Sequence, residues 1–142
     1  PREDDARPGQ TFAGAISRGD LRSALDQLLT MPRQSSRREL SVEDKVRLAR
    51  GLAREGHPRA ALTAYQRALS DHPGTGQATS AHLGAARVLM HDLKMPTAAY
   101  QHLYSALEEA EDEAQRDEAR ELLELLRSRS GSVPRERRRR SP

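Results

Sequence analysis

Three arginines follow one another along a predicted amphipathic helix near the middle of the chain. Arg47, Arg50 and Arg54 are spaced by three and four residues, so their side chains stand in a row on one helix face. A row of guanidinium groups can hold carboxylates through paired hydrogen bonds. His82 and Arg87 are expected to extend this row on a later helix. The row predicts a surface for an acidic partner segment, and an ordinary charged helix face is the simpler alternative.

The five histidines raise the question of a metal site. His82 and His91 are nine residues apart, and His91 and His102 fall on different predicted helices. The sequence contains no H-E-x-x-H spacing and no cysteine, so the common zinc-binding patterns are missing. Histidines at the surface or partly buried account for these residues, and neither a metal nor another cofactor is expected.

Motifs of the common enzyme classes are also missing. The sequence has no G-x-x-x-x-G-K-[ST] phosphate loop, no G-x-S-x-G motif and no cysteine nucleophile. The carboxylates from Glu108 to Glu124 follow a helix expected to face solvent, whereas a catalytic pair needs burial to separate its pKa values. We therefore expect a protein without catalytic activity.

The chain ends in a basic segment that contains four consecutive arginines, Arg137, Arg138, Arg139 and Arg140. This segment could bind nucleic acid or an anionic lipid surface, act as a nuclear address, or pair with the preceding acidic run. No aromatic residue lies between the arginines, so base stacking is not supported. A flexible, solubilising end is the preferred interpretation, and electrostatic binding by the tail is the alternative.

Composition indicates one all-α domain. The 142 residues fit a single domain, and the apolar third of the chain includes one Phe and no Trp. A core of Leu, Ala and Val suits closely packed helices better than a β-sandwich. No segment approaches the roughly 20 apolar residues of a membrane-spanning helix, and no signal peptide is visible.

The clearest local pattern is a pair of amphipathic helices between Val42 and Pro73. Ser41 is expected to cap the first helix, Gly56 to end it, and Pro58 to begin the second. Apolar residues recur at three- and four-residue steps in both helices, at Val46, Ala49, Leu52, Ala53, Ala61, Tyr65, Ala68 and Leu69. Tyr65 is therefore predicted to lie in the core.

These residues resemble the signature of the tetratricopeptide repeat (TPR) family. Leu48, Ala49, Leu52, Gly56, Ala61, Tyr65, Ala68 and Pro73 follow that signature at its period of about 34 residues. In this unit Lys45 stands near the place of the usual early aromatic. Leu83 and Gly84 resemble the start of a second repeat. The resemblance implies a right-handed stack of antiparallel helical hairpins with a groove lined by the first helix of each repeat. The asparagine of the chaperone-binding carboxylate clamp has no counterpart, because the chain contains no asparagine.

The rest of the chain completes the predicted domain. Residues 1–10 are expected to form a flexible linker, residues 11–127 a TPR-like domain of about seven helices with a terminal capping helix, and residues 128–142 a disordered tail. Arg18-Gly19-Asp20 is interpreted as a turn between helices and not as an integrin motif. Residues 33–40 are predicted to be a polar connector, whose serines beside arginines are alternatively phosphorylation sites.

Together these observations predict a non-catalytic protein-interaction module that binds a partner protein or peptide in a helical groove. One alternative is binding of nucleic acid or an anionic surface through the arginine tail. Another is a regulatory TPR domain of a bacterial membrane protein, such as a rhomboid-type protease. A cytoplasmic location is expected. Because the sequence begins with Pro1 and not with methionine, tethering to a membrane through an upstream segment is an alternative expectation.

Overall fold

The structure, a computed structural model, describes the backbone of residues 7–140 and the side chains of residues 7–129. Over this range the chain forms eight α-helices and one π-helical segment, with no β-strand. The α-helices are α1 (Pro8–Ser17), α2 (Leu21–Thr30), α3 (Arg33–Glu39), α4 (Val42–Arg54), α5 (Pro58–Asp71), α6 (Gly76–Arg87), α7 (Pro96–Glu109) and α8 (Glu113–Arg140). The π-helical segment, Val88–Asp92, directly continues α6. The predicted all-α fold is confirmed, with one helix more than expected.

Helices α1 and α2 form the predicted first pair. Gly19 turns the chain with a φ of 79°, and the Asp20 carboxylate accepts a hydrogen bond from the backbone N–H of Ser23. Phe12 is completely buried between the helices and the rest of the core. The first helix begins at Pro8, so residues 8–10 are helical and do not belong to the expected linker.

Helix α3 lies where a polar connector was expected. Its sequence is entirely polar, yet Ser36 is completely buried. The Ser36 hydroxyl donates to Asp71 at the end of α5, and Arg33 Nε donates to the same carboxylate. Hydrogen bonding, and not an apolar face, holds this helix against α5, so hydrophobic periodicity gave no sign of it.

Helices α4 and α5 follow the sequence prediction closely. The Ser41 hydroxyl accepts from the backbone N–H of Asp44 at 3.1 Å, Gly56 has a φ of 85°, and Pro58 is the first residue of α5. The Tyr65 side chain is buried, as predicted. The turn of three residues lets the two helices pack along their length.

The connection between α6 and α7 is longer than the one between α4 and α5, since eight residues separate Arg87 from Pro96. A π-helical segment takes up part of this length, since Leu93 N–H donates to the carbonyl of Val88, five residues earlier. Lys94 then reverses the chain with a positive φ of 55°. The connection therefore combines a π-helical extension, which contains His91 and Asp92, with a turn at Lys94.

Helix α8 closes the apolar surface of α6 and α7. Ala119, Leu123 and Leu126 are buried against these helices, in agreement with a capping role. The backbone of α8 continues to Arg140, whereas a disordered tail was expected from Ser128. The side chains of Arg137, Arg138, Arg139 and Arg140 lie outside the described residues.

Two buried clusters form the core. One joins α1, α2, α4 and α5 with the inner side of α6, and the second joins α6, α7 and α8. Helix α6 belongs to both clusters and contacts α4, α5, α7 and α8. It therefore connects the two halves of the described chain. Among the described helices, none is long and apolar enough to cross a membrane.

Candidate partner-binding cleft

A cleft between α4 and α6 brings together three of the predicted arginines. We call it the arginine cleft; it has a volume of about 290 Å³ and is lined by Arg50, Ala53, Arg54, Tyr65, Gly84, Arg87, Val88, His91 and Asp92. Arg50 and Arg54 come from α4, and Arg87 comes from α6. All three arginines are exposed enough to meet a ligand from solvent.

The floor of the cleft is made by Tyr65. Its side chain comes from α5, is 3% exposed, and passes directly over Gly84 of α6. A Cβ atom at Gly84 would clash with the ring and hydroxyl of Tyr65. The absence of a side chain at Gly84 therefore lets a tyrosine hydroxyl reach the cleft between the two arginine-bearing helices.

Charge and burial act in opposite directions on this tyrosine. Burial raises the pKa of Tyr65, and the guanidinium groups of Arg50, Arg87 and Arg54 oppose that rise. These charges close to the ring show that the cleft is electropositive around a hydroxyl group. Burial also lowers the pKa of Arg87, with a further contribution from the charge of Arg50. Arginine nevertheless stays charged at any physiological pH.

Arg87 has a carboxylate partner within the protein. Its guanidinium forms an ion pair with Glu118 of α8, so the pair links α6 to α8. Sequence reasoning assigned Glu118 only to a solvated acidic run. Its position opposite Arg87 depends on how α8 packs on α6, and no local pattern encodes that packing.

Arg47 is placed differently from the rest of its row. It pairs with Asp44 at 2.9 Å, and its Nη2 lies 3.4 Å from the hydroxyl oxygen of Ser17 in α1. A separate cavity on that side of α4 is lined by Arg47 together with Arg50 and Arg54. The row therefore stands on a ridge between two cavities, and only its last two members also border the arginine cleft.

His82 does not line the arginine cleft. It faces α7, where its Nδ1 lies 2.9 Å from Nδ1 of His102 and its Nε2 lies 3.4 Å from Glu109. Burial lowers the pKa of His82, and burial together with the charge of His82 lowers the pKa of His102 to about 4. Burial therefore disfavours the charged form of both rings. His102 and Glu109 are seven residues apart on α7, a spacing that could have placed them on one face.

The π-helical segment supplies His91 and Asp92, which were not predicted for the cleft. Arg129 of α8 lies beside His91, with a distance of 3.3 Å between Nη1 and Nδ1. Asp92 is the one carboxylate among the residues that line the cleft.

In the described part of the chain, no group of three His, Cys, Asp or Glu side chains is arranged to hold a metal ion.

The arrangement of the cleft suits an oxyanion. Guanidinium groups from two helices line it, and a guanidinium can donate paired hydrogen bonds to a carboxylate. The sequence matches no protein family model, and a search of the curated proteins gives no match.

Proposed function

We propose that this chain is a non-catalytic protein-interaction module of the TPR type, which binds an acidic segment of a partner in the groove beside α4 and α6. The observation that carries the proposal is the convergence of Arg50, Arg54 and Arg87 on one cleft. These three residues come from two separate helices. Because they line the same cleft, one ligand can contact all of them.

The proposed architecture is a right-handed stack of antiparallel helical hairpins. In it, α4, α6 and α8 form the inner row, and α5 and α7 form the outer row. Contacts of α6 with both α4 and α8, and the packing of α4 on α5 and of α6 on α7, support this arrangement. An inner row of helices produces a concave surface, which is the usual binding surface of stacked repeats.

Binding in this groove combines burial with charge pairing. A partner segment covers the partly exposed Ala53, while its carboxylates pair with Arg50 and Arg54. Each charge-assisted hydrogen bond is worth about 1.5–3 kcal/mol where water is excluded. Exposed pairs are screened by salt, so affinity should fall as ionic strength rises.

The test uses a short fluorescein-labelled peptide of repeated Glu-Gly-Ser units, with Gln-Gly-Ser and Lys-Gly-Ser peptides for comparison. Anisotropy titration should show binding of the glutamate peptide alone. Arg50→Glu and Arg54→Glu should each weaken it by about tenfold or more. Arg59→Glu is the matched control, because Arg59 is exposed on α5 and does not line the cleft. Equal losses in all three variants, or no binding by the intact protein, would contradict the proposal.

The arginine tail provides the competing explanation. A chain truncated after Arg129 keeps the contact between Arg129 and His91 and removes the four consecutive arginines. This truncation should leave peptide affinity nearly unchanged. If it abolishes binding while Arg50→Glu has no effect, binding by the tail replaces binding in the groove.

A further inference from the structure

The ion pair between Arg87 and Glu118 engages one of the three arginines that line the arginine cleft. Arg87 is 44% exposed and Glu118 is 37% exposed in their side chains. Water therefore reaches both groups, and such a pair contributes little to stability and can exchange its partners. By contrast, Lys45 and Asp71 are completely buried and have no comparable access to a ligand.

Resting on the proposed function, we infer that Glu118 is a built-in competitor: it holds Arg87 in the free protein, and a carboxylate side chain of the partner takes its place. The ligand of the cleft is thus a carboxylate, the same group that the protein itself supplies from α8. No covalent step is involved, because one ion pair replaces another.

The charges around Arg87 make this exchange favourable for an acidic ligand. Arg50 and Arg54 lie on the opposite helix, whereas Glu118 reaches Arg87 from α8 alone. A carboxylate in the cleft can pair with Arg87 and also gain the attraction of the α4 arginines. Because like charges repel, entry of that carboxylate displaces Glu118 toward solvent.

Competition limits affinity and sets a requirement for more than one contact. A carboxylate that reaches Arg87 alone gains little, because it only replaces Glu118 there. A segment that also pairs with Arg50 or Arg54 gains a new interaction at each of them. The cleft should consequently discriminate between isolated acidic side chains and segments with several acidic residues.

The experiment compares Glu118→Gln with Glu121→Gln in the anisotropy titration with the Glu-Gly-Ser peptide. Glu121 is exposed on the same helix, has no ion partner among the residues whose side chains are described, and undergoes the same change of charge. Glu118→Gln should tighten binding by about two- to fivefold, and Glu121→Gln should change it by less than about 1.5-fold. Thermal unfolding of each variant verifies that both fold, and Glu118→Ala provides a second variant that lacks the carboxylate.

A double-mutant cycle with Arg87→Gln assigns the effect to the pair. In the Arg87→Gln background, Glu118→Gln should give less than half of its gain in the intact protein, because the competed group is gone. If the intact protein binds the peptide and Glu118→Gln binds it equally well or more weakly, Glu118 is not a competitor. The proposed function is then unaffected. Equal gains from Glu118→Gln and Glu121→Gln reduce the effect to net charge and also overturn it. Failure of both the intact protein and Glu118→Gln to bind the peptide overturns the proposed function itself.

Discussion

The ammonium group of Lys45 lies 2.9 Å from a carboxylate oxygen of Asp71, and both side chains are completely inaccessible to solvent. Lys45 also donates to the carbonyl of Ser36 at 3.0 Å and contacts Nε2 of His72 at 2.8 Å. Asp71 in turn accepts from Ser36 and Arg33 of α3. This buried network joins α3, α4 and the end of α5.

Loss of one charge from this network should be strongly destabilising. Lys45→Met leaves a buried carboxylate without its ammonium partner, which costs about 3–5 kcal/mol of unfolding free energy. Asp71→Leu should cost a similar amount by leaving the ammonium group unpaired. Urea denaturation monitored by circular dichroism measures both changes.

The double variant Lys45→Met/Asp71→Leu is the informative comparison. Because it removes both desolvated charges, its loss should be well below the sum of the two single losses. A loss equal to that sum would mean that the two residues stabilise the fold independently and would contradict the role of the pair.

The close approach of Tyr65 to Gly84 predicts that the effect of Gly84→Ala on stability changes sign when Tyr65 is replaced. Gly84→Ala should destabilise the protein by about 1–3 kcal/mol or more, since the added methyl group meets the tyrosine ring. In the background of Tyr65→Leu the ring is absent, and the same change should become neutral or stabilising because alanine favours helix over glycine. Urea denaturation of the four proteins completes the cycle, and a similar cost in both backgrounds would refute the packing argument.

Truncation of two tyrosines should have unequal effects. Tyr65→Ala should cost about 3–5 kcal/mol because the ring is almost completely buried. Tyr104 is 49% exposed, so Tyr104→Ala should cost clearly less. Thermal unfolding of the two variants gives the comparison. Equal losses would contradict the burial of Tyr65 in the core.

His102 predicts a loss of stability in mild acid. Its folded-state pKa of about 4 lies below the ordinary value of 6.5, so between these values the unfolded chain binds more protons. The contribution of a neutral His102 is complete above about pH 6.5, falls as pH decreases, and is lost through pH 4. We expect about 1–2 kcal/mol, allowing for its partial exposure.

His102→Gln isolates this contribution. The difference in unfolding free energy between the intact protein and the variant, measured by urea denaturation, should shrink or reverse from pH 6.5 to pH 4. A difference that stays constant over that range would remove His102 as the cause. Asp71 also makes stability depend on pH, but in a more acidic range than His102. Burial alone would raise the pKa of Asp71, but hydrogen bonds from Lys45 and Ser36 hold that pKa below its ordinary value of 3.8.

The local features of the chain could be predicted because each has a local physical cause. Gly56 permits a positive φ, Pro58 suits the first turn of a helix, and the Ser41 hydroxyl caps backbone N–H groups within its own turn. Apolar periodicity likewise identified the buried faces of α4 and α5, including Tyr65.

Tertiary packing alone decided which distant groups meet. Lys45 stands near the place of the usual early aromatic of the repeat, but its partner Asp71 is 26 residues away on the next helix. Helical spacing put Arg47 in a row with Arg50 and Arg54, yet packing against α1 engaged Arg47 with Ser17. His82 was assigned to the arginine row, and the rotation of α6 turned it to His102 instead. Periodicity determines which residues share a helix face, whereas the relative rotation of packed helices determines what each face contacts.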